Sequence, residues 1–446
     1  MKENNFNPNI EIIKKNNKKL NNNNFPNLNK EKEIVKSPTE DKESNNNIKN
    51  NDDINYNMTP TGDIPELEKY YNELKNEKSE NNNIKKIKSH NYKSELKSSF
   101  SFNKYKKAPN VILEIEDKYI YMNCILQCFA NIRPIVCYYL KEIHNFKHHI
   151  KDMPLSYYFS RIIFHFYPYP ENDLKKSFSL STFQKVVSNL FNENSKTQTK
   201  IFDFLNFFLD SLHEDDKNIR NNKSNNEIGQ KEPNENFKEY IQFLGQKEKS
   251  CILDNFCWLN LKVKKCLKCN KESIKYQKYF TYELDFEILK KSNVNFDKEI
   301  SIFDWIKYQI QKQKILDYCN NCAKSNWFEI ESLISISPQY FIFYISLNDE
   351  VIKKIGTKIK IDEEIDLSGL VKEQTIFNKY TLHGMILYDL DSQKFLSHCC
   401  SPVDGNWYSY LKDSISKLKK EKILTPSIYR LFPILFIYKQ KSEKET

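Results

Sequence analysis

The chain has 446 residues, of which 39% are hydrophobic and 29% are charged, and its formal net charge at pH 7 is +10. Its mean hydropathy is −0.71, and its longest apolar run is far shorter than the ~20 residues that a bilayer helix needs, which argues against a membrane protein. The first ten residues, MKENNFNPNI, contain no apolar stretch, so we expect no secretory signal.

The positive charge does not by itself indicate a nucleic-acid partner. Only four of the 69 basic residues are arginine, the side chain that most often recognises phosphates and base edges. Asn, Lys, Ile, Tyr and Phe are abundant while Gly and Ala are scarce, a bias that A/T-rich codons explain as well as selection for phosphate binding does. The composition therefore argues against nucleic acid as the partner.

Two regions of different composition follow each other along the chain. Residues 1–107 are rich in Asn, Lys, Glu and Ser and poor in aromatic residues, so they bury too little apolar surface to offset the entropy of ordering. Beyond this point aromatic and β-branched residues rise sharply. We predict a disordered leader over residues 1–107 and one folded domain over residues 108–446.

Helices are predicted first along the folded region. Residues 121–140 have helical apolar spacing interrupted by Pro134, and residues 202–212 are apolar on most sides, as expected of a core helix. We expect His213 and Glu214 to end this second helix as a polar cap. The Asn- and Lys-rich stretch at residues 215–248 is predicted to be a surface insertion.

Strands are predicted after the helices, mainly from alternation of apolar and polar residues. They fall at residues 258–263, 278–286, 329–336, 340–347, 380–388, 407–411 and 435–438. Helices followed by strands predict an α+β fold whose sheet is built mainly by the C-terminal half.

Two Cys-x-x-Cys pairs predict a metal site. They are Cys266 with Cys269, and Cys319 with Cys322. Each pair offers two thiolates on a tight turn, and four thiolates make the closed tetrahedral site that Zn²⁺ prefers, so we expect a structural zinc. Thiols used in this way predict a reducing compartment, the cytoplasm or the nucleus.

Four segments, in this order, resemble the ubiquitin-specific proteases, a family of thiol deubiquitinases. They are YMNCILQCF (residues 121–129), FDFLNFFLDSLHED (residues 202–215), the two cysteine pairs, and SHCC with NWYSYL (residues 397–400 and 406–411). The resemblance implies a papain-like fold of thumb, palm and fingers, with a zinc ribbon in fingers at about residues 250–336. It covers about residues 109–440.

The resemblance also assigns the catalytic positions. The family mechanism needs a cysteine at a helix N-terminus, a histidine that takes its proton, and an acid or amide that orients the histidine. Ile120 falls at the cysteine position, Leu411 at the orienting position and Ile115 at the position of the oxyanion-stabilising Asn. Of these groups only the histidine is matched, by His398.

Family residues that contact ubiquitin are also changed. Gln198 and Asp203 match the family in type, whereas Lys200 stands where the family has an acidic residue that meets the basic ubiquitin tail. The attraction between this position and the ubiquitin tail would become a repulsion, which would weaken binding by an amount on the order of 1–3 kcal/mol.

Three functions remain open from the sequence. The first is a pseudoenzyme that binds ubiquitin or another protein partner as a scaffold. The second is an active deubiquitinase with a displaced nucleophile, Cys124 or a cysteine outside the aligned segment, and His398 as its base. A register slip would bring Asp413 to His398 as a surviving pair, which does nothing for acyl transfer without a nucleophile. The third is a basic RNA- or DNA-associated protein that reuses the fold.

Overall fold

The computed structural model describes residues 111–167, 176–191, 200–221, 233, 235–292, 294–296, 298–345, 351, 355, 358–372 and 378–442. These residues belong to one compact unit, Thr61–Thr446. The predicted leader, residues 1–107, lies outside the described residues.

Helices and strands both occur in the described residues, which confirms the α+β class. The helices are α1 (Ile120–Ala130), α2 (Arg133–His148), α3 (Pro154–Phe166), α4 (Ser181–Leu190), α5 (Lys200–Asn221), α6 (Phe237–Lys247), α7 (Cys251–Phe256), α8 (Phe286–Lys291), α9 (Ile302–Gln309) and α10 (Lys420–Leu424). The strands are β1 (Ile112–Glu114), β2 (Ser177–Ser179), β3 (Trp258–Cys266), β4 (Glu272–Tyr279), β5 (Tyr282–Glu283), β6 (Ile300–Ser301), β7 (Gln313–Cys319), β8 (Lys324–Ile336), β9 (Tyr340–Tyr344), β10 (Ile359–Lys360), β11 (Glu364–Asp366), β12 (Lys379–Asp389), β13 (Lys394–Cys400), β14 (Trp407–Tyr410), β15 (Ile415–Leu418) and β16 (Leu431–Gln440).

Two sheets organise the strands. The larger has the order β15-β14-β13-β12-β16-β9-β5, with β11 also paired to β12, and the smaller has the order β4-β3-β8-β7. We call the larger the palm sheet and the smaller the fingers sheet. Helix α1 packs directly against β13 of the palm sheet, so it lies between that sheet and the other N-terminal helices.

The predicted helix at residues 121–140 is two helices. Helix α1 ends at Ala130 and α2 begins at Arg133, with Pro134 in its first turn. The first turn tolerates proline because its N–H groups have no partner within the helix. The chain turns at Asn131, whose side-chain amide donates to the Gln127 carbonyl at 2.8 Å.

The core helix α5 continues well beyond the predicted end. His213 is buried in its interior and does not form the expected cap; its Nδ1 lies 2.6 Å from Ser250 Oγ and its Nε2 lies 3.1 Å from Glu248 Oε2. Asp215 accepts a hydrogen bond from Ser156 Oγ at 2.6 Å. Asp216 is fully buried.

The prediction of a surface insertion at residues 215–248 is therefore wrong for its described parts. Its first residues belong to α5, and its last part forms α6, whose Tyr240 and Leu244 are buried against the fingers sheet. Polar composition misled the prediction because buried acids with hydrogen-bond partners were not distinguishable from exposed ones. Residues 222–232 and 234 lie outside the described residues.

The predicted strand at residues 278–286 is also wrong as a single element. Strand β4 ends at Tyr279 in the fingers sheet, and β5 then pairs in parallel with β9 of the palm sheet. Helix α8 begins at Phe286, where the Asp285 carboxylate caps the Glu287 N–H at 2.7 Å. The chain crosses from the fingers sheet to the palm sheet here. Apolar and polar residues keep alternating across the crossing because each sheet buries one face, so the pattern resembles one strand.

No single helix in the described ranges passes a length and apolarity test for crossing a bilayer. Segments 117–130 and 133–148 pass it only as a pair, and they are bent by 93° at their junction.

Asp216 joins three elements of the helical half, and we expect its loss to be costly. Its Oδ1 accepts from the Tyr138 hydroxyl on α2, and its Oδ2 accepts from the Cys251 N–H at the start of α7 at 2.5 Å. Asp216→Ala removes the carboxylate that accepts from both of these buried donors, so the free energy of unfolding should fall by about 2–4 kcal/mol in urea titration. The exposed Asp203 on the same helix is the matched control, and Asp203→Ala should change it by less than about 0.5 kcal/mol. Equal effects of the two substitutions would contradict this role of Asp216.

Candidate functional site

The N-terminus of α1 is the position that the resemblance assigns to the nucleophile. Helix α1 begins at Ile120, after a short 3-10 turn, and Ile120 is buried. A helix N-terminus stabilises negative charge and lowers the pKa of a cysteine placed there. An isoleucine at this position has no group that can ionise or attack a carbonyl. Ile115, just beyond β1, is also buried and cannot donate a side-chain hydrogen bond.

Cys124 lies one turn further along α1, inside the core. Its side chain is 2% exposed. Burial, together with the nearby Cys399, raises the pKa of Cys124 well above its ordinary value. The thiolate form that a nucleophile requires is therefore strongly disfavoured at neutral pH.

His398 lies in the middle of β13, buried between two neighbouring strands. It pairs across the sheet with Met385 on β12 and Ser409 on β14. Its Nδ1 has no hydrogen-bond partner among the described residues. Burial lowers the pKa of His398 to about 4, so the ring is neutral at pH 7.

The orienting position lies outside the strand. Strand β14 ends at Tyr410, and Leu411 is 44% exposed in the turn that leads to β15, where its N–H donates to the Ser414 carbonyl at 2.9 Å. Asp413 is exposed in the same turn and makes no hydrogen bond to His398. The register that would have joined Asp413 to His398 is not formed, because Ser409 is the residue that pairs with His398.

Three contacts that the sequence did not reveal join the turns on either side of α1 to the palm sheet. The Asn131 amide lies 3.3 Å from the Tyr410 hydroxyl, and His383 Nε2 lies 2.9 Å from the Asn131 carbonyl. At the surface, Lys412 Nζ forms an ion pair with Asp117 Oδ1 at 2.5 Å. This ion pair joins the turn before α1 to the turn after β14. These residues are more than 250 positions apart, so no local pattern could have indicated the contacts.

The residues assigned to ubiquitin contact lie at the start of α5. Lys200 is the first residue of the helix and is half-buried, whereas Asp203 is exposed in the first turn. A carboxylate in that turn is favoured by the helix dipole whether or not it binds a partner. Gln198 lies outside the described residues.

The two cysteine pairs come together at the tip of the fingers sheet. Cys266, Cys269, Cys319 and Cys322 place their four sulfur atoms within 4.8 Å of one another. The Cys269 and Cys319 sulfurs are 3.7 Å apart, close to the ~3.8 Å expected between ligands of a tetrahedral site with metal–sulfur bonds of about 2.3 Å. This four-cysteine group fits a metal ion.

The two pairs share one backbone geometry. Asn270 and Ala323 each follow the second cysteine of a pair, and they have φ values of +54° and +51°. This left-handed conformation is uncommon outside glycine, and it turns the chain so that both thiols of a pair face the same point. The Lys271 backbone N–H and the Asn321 side chain lower the pKa of Cys269 to about 6, whereas burial and the neighbouring thiols raise the pKa of Cys322 to about 12.

Comparisons with known proteins agree with this architecture. A family model described as "Ubiquitin carboxyl-terminal hydrolase" matches residues 118–432. Ubiquitin carboxyl-terminal hydrolase 2 of Bos taurus is 23% identical over 336 residues, which cover 70% of this chain and 53% of the relative. Ubiquitin carboxyl-terminal hydrolase 48 of Rattus norvegicus is 22% identical over 185 residues, which cover 39% of this chain and 17% of the relative. The chain thus spans about half, or less, of the length of the curated relatives it matches.

Solved structures show the same fold. A structure of the yeast SAGA DUBm with an Sgf73 mutant superposes with a TM-score of 0.56 at 14% identity, covering 76% of this chain and 70% of that chain. The SAGA Ubp8/Sgf11/Sus1/Sgf73 DUB module bound to ubiquitin aldehyde gives a TM-score of 0.53 at 13% identity, covering 76% and 71%.

The burial of His398 predicts a measurable pH dependence of stability. Its ordinary pKa is near 6.5 and its folded pKa is about 4, so between these values the unfolded chain binds a proton that the folded chain does not. The stability contributed by the neutral ring is complete above pH 6.5 and is lost as the pH falls toward 4. Between pH 7 and pH 5 the loss is about 2 kcal/mol.

Urea titrations of His398→Gln measure this contribution. The fall in the free energy of unfolding between pH 7 and pH 5 should be about 2 kcal/mol smaller in the variant than in the parent chain. His149, which is exposed, is the matched control, and His149→Gln should leave the fall unchanged. An identical fall in the His398→Gln variant would show that the ring is not buried in its neutral form.

Proposed function

Because the chain belongs to the ubiquitin carboxyl-terminal hydrolase family, we propose that it is a pseudoenzyme of that family, which binds ubiquitin or a ubiquitinated protein without cleaving it. The observation that carries the proposal is the start of α1, where the buried Ile120 stands at the assigned nucleophile position. The proposed organisation is a domain over residues 108–446 that follows a leader over residues 1–107, in the cytoplasm or the nucleus.

Nucleophilic catalysis fails at three points in this arrangement. It requires a thiol that ionises, a base within about 3 Å of it, and a group that orients the base. Ile120 supplies no thiol, Leu411 supplies no orienting carboxylate, and His398 makes no hydrogen bond to a sulfur atom among the described residues. A neutral His398 is the form that acts as a base, but without a thiol beside it there is no proton for the ring to accept.

An active enzyme that uses Cys124 is the second candidate, and the geometry opposes it. Cys124 faces the core one helical turn, about 5–6 Å along the axis, from the helix start. Its pKa is raised by burial rather than lowered by the helix N-terminus. To act, the thiol would have to leave a fully packed helix and also lose a proton that burial stabilises.

Ubiquitin binding without turnover is the test of the proposal. We expect the chain to bind ubiquitin in calorimetric titration, and to show no release of fluorophore from a ubiquitin C-terminal conjugate. A ubiquitin that carries an electrophile at its C-terminus labels an ionised thiol in the cleft. We expect it to leave the chain unlabelled, because no ionised thiol meets the ubiquitin C-terminus. Probe labelling that Cys124→Ser abolishes would reject the pseudoenzyme in favour of the displaced nucleophile.

Charge reversal at Lys200 tests whether ubiquitin binds in the cleft. Lys200→Asp restores the acidic character of the family and should tighten ubiquitin binding about tenfold, within the range expected of a close charge pair. Lys185 is an exposed lysine on α4, and Lys185→Asp is the matched control with no expected change. If ubiquitin fails to bind both the parent chain and Lys200→Asp, the proposed ligand is wrong.

We further propose that the four-cysteine group holds a structural zinc. Four thiolates leave no open position for substrate or water, so the ion would support the turns of the fingers sheet and take no part in a reaction. A bound zinc would hold all four thiols as thiolates, which the group opposes without a metal because burial and the neighbouring thiols raise the pKa of Cys322.

Metal analysis tests the zinc site. The purified chain should contain about one zinc per molecule by mass spectrometry of the metal content, and Cys319→Ser should lose most of it. Chelation should lower the amide protection of β3, β4, β7 and β8 while leaving the palm sheet protected. Cys400 lies away from the group, so Cys400→Ser should retain the zinc. A parent chain that folds with full protection and without metal would exclude a structural zinc.

A further inference from the structure

Four large apolar side chains are exposed together at the tip of the fingers sheet. They are Leu267 (41% exposed), Leu316 (61%), Tyr318 (55%) and Trp327 (56%). Leu316 pairs directly with Trp327 across β7 and β8, and the Leu267 N–H donates to the Trp327 carbonyl at 2.9 Å. We call these four residues the fingertip patch. Exposed apolar side chains that cluster in this way indicate an interaction surface, whereas single exposed apolar side chains do not.

The fingertip patch does not belong to the four-cysteine group. Side chains alternate between the two faces of a strand, and the neighbouring pair, Ile315 with Phe328, packs with Cys266 and Cys319. Leu316 and Trp327 therefore point to the opposite face. Helix α6 covers that face at the base of the sheet, through Tyr240 and Leu244, and no described element covers it at the tip.

Strand β7 adds a second feature that points to a ligand. In the described part of the chain it pairs with β8 on one side and with no strand on the other. Six of its seven residues are exposed or half-buried. The outer edge of β7 therefore has no strand beside it among the described residues, and such an edge is the template on which an extended segment adds as a further strand.

The charge around the fingertip patch selects the chemistry of that segment. Residues 262–275 and 312–331 carry nine lysines and four acidic residues. Three of the acids are already in ion pairs, with Lys264, Lys265 and Lys312. The other six lysines are exposed and make no ion pair among the described residues: Lys262, Lys268, Lys271, Lys275, Lys314 and Lys324. Lys314 stands on the same face of β7 as Leu316 and Tyr318, at one end of the patch.

We propose that the fingertip patch and the edge of β7 bind an extended, apolar segment with acidic flanks from a partner protein. The segment lies beside β7 as a fifth strand of the fingers sheet. Its alternate apolar side chains contact Leu316, Tyr318 and Trp327, and its flanking carboxylates meet Lys314 and the lysines of the cysteine turns. Main-chain hydrogen bonds supply affinity, and the side chains supply selectivity.

A peptide fits this surface better than a nucleic acid does. Exposed aromatic residues with lysines also stack single-stranded bases. Here, however, half of the patch is leucine, Asp317 lies within β7, and the region contains no arginine. An unpaired strand edge has no use in base stacking, whereas it is the defining part of strand addition.

A synthetic peptide tests the proposal with the full chain. The blocked peptide Asp-Glu-Val-Thr-Phe-Thr-Val-Glu-Asp carries alternate apolar residues between acidic flanks, and its matched form has lysine at the four acidic positions. Fluorescence anisotropy should show binding of the acidic form, weakened at least tenfold for the lysine form and weakened by added salt. Hydrogen exchange should show new protection of β7 amides on binding, which contact through side chains alone would not produce.

Matched variants locate the site. Leu316→Ser combined with Trp327→Ser should weaken peptide binding at least tenfold, because these side chains form the centre of the patch. Ile428 is even more exposed but lies outside the fingers sheet, and Ile428→Ser should leave binding unchanged. Since all three side chains are exposed, circular dichroism and thermal unfolding should match the parent chain.

Three results would overturn the proposal. The first is peptide binding that is absent or indifferent to Leu316→Ser with Trp327→Ser. The second is an unblocked β7 edge, seen as unchanged exchange of its amides in the presence of bound peptide. The third is a different occupant of the patch: a single-stranded oligonucleotide, or a second copy of the chain in a concentration-dependent dimer, whose binding the double variant abolishes.

Discussion

The complete burial of α1 is the constraint on which the rest of the structure depends. All eleven of its residues are buried, including Asn123 and Gln127, so the helix is enclosed by the palm sheet on one side and by other helices elsewhere. Cys128 meets Cys399 of β13 with 3.6 Å between their sulfur atoms. An enclosed helix of this kind gains stability from every apolar residue along its length. The buried Ile120 shares in this gain, which a smaller or ionisable side chain at the start of the helix would forgo.

The fingers sheet is physically separate from the start of α1. The main hydrophobic core spans the helices and the palm sheet, while two smaller clusters lie at the base and at the tip of the fingers sheet. Changes at the start of α1 therefore leave the packing around the cysteines untouched. The four thiols, and the exposed apolar surface beside them, can therefore keep their arrangement whatever side chains stand at the start of α1. A retained binding role is consistent with that distribution.

Local patterns predicted the parts of the fold that depend on neighbours in sequence. The Cys-x-x-Cys spacing indicated both turns of the four-cysteine group, and apolar periodicity indicated α1 and the first half of α5. Contacts between distant residues were beyond such patterns. The burial of His213 depends on Ser250 and Glu248, more than 30 residues away, and the exposure of Leu316 depends on which elements cover a sheet face. Alternation predicts that one face of a strand is apolar, and it does not reveal whether anything packs there.

The ion cluster between α5 and the fingers sheet has a consequence for how this fold accepts new sequence. Glu248 binds Lys278 of β4 and lies 3.4 Å from Lys217 of α5. Burial would raise the pKa of Glu248, but its hydrogen bonds to His213 and Lys278 and the charges of Lys278 and Lys217 outweigh burial and lower it to about 2. The elements on both sides of the connection between α5 and α6 are thus anchored independently of it. Glu248 therefore holds α5 and β4 together through its own side-chain contacts, and these would persist if the chain between Asn221 and Phe237 were lengthened.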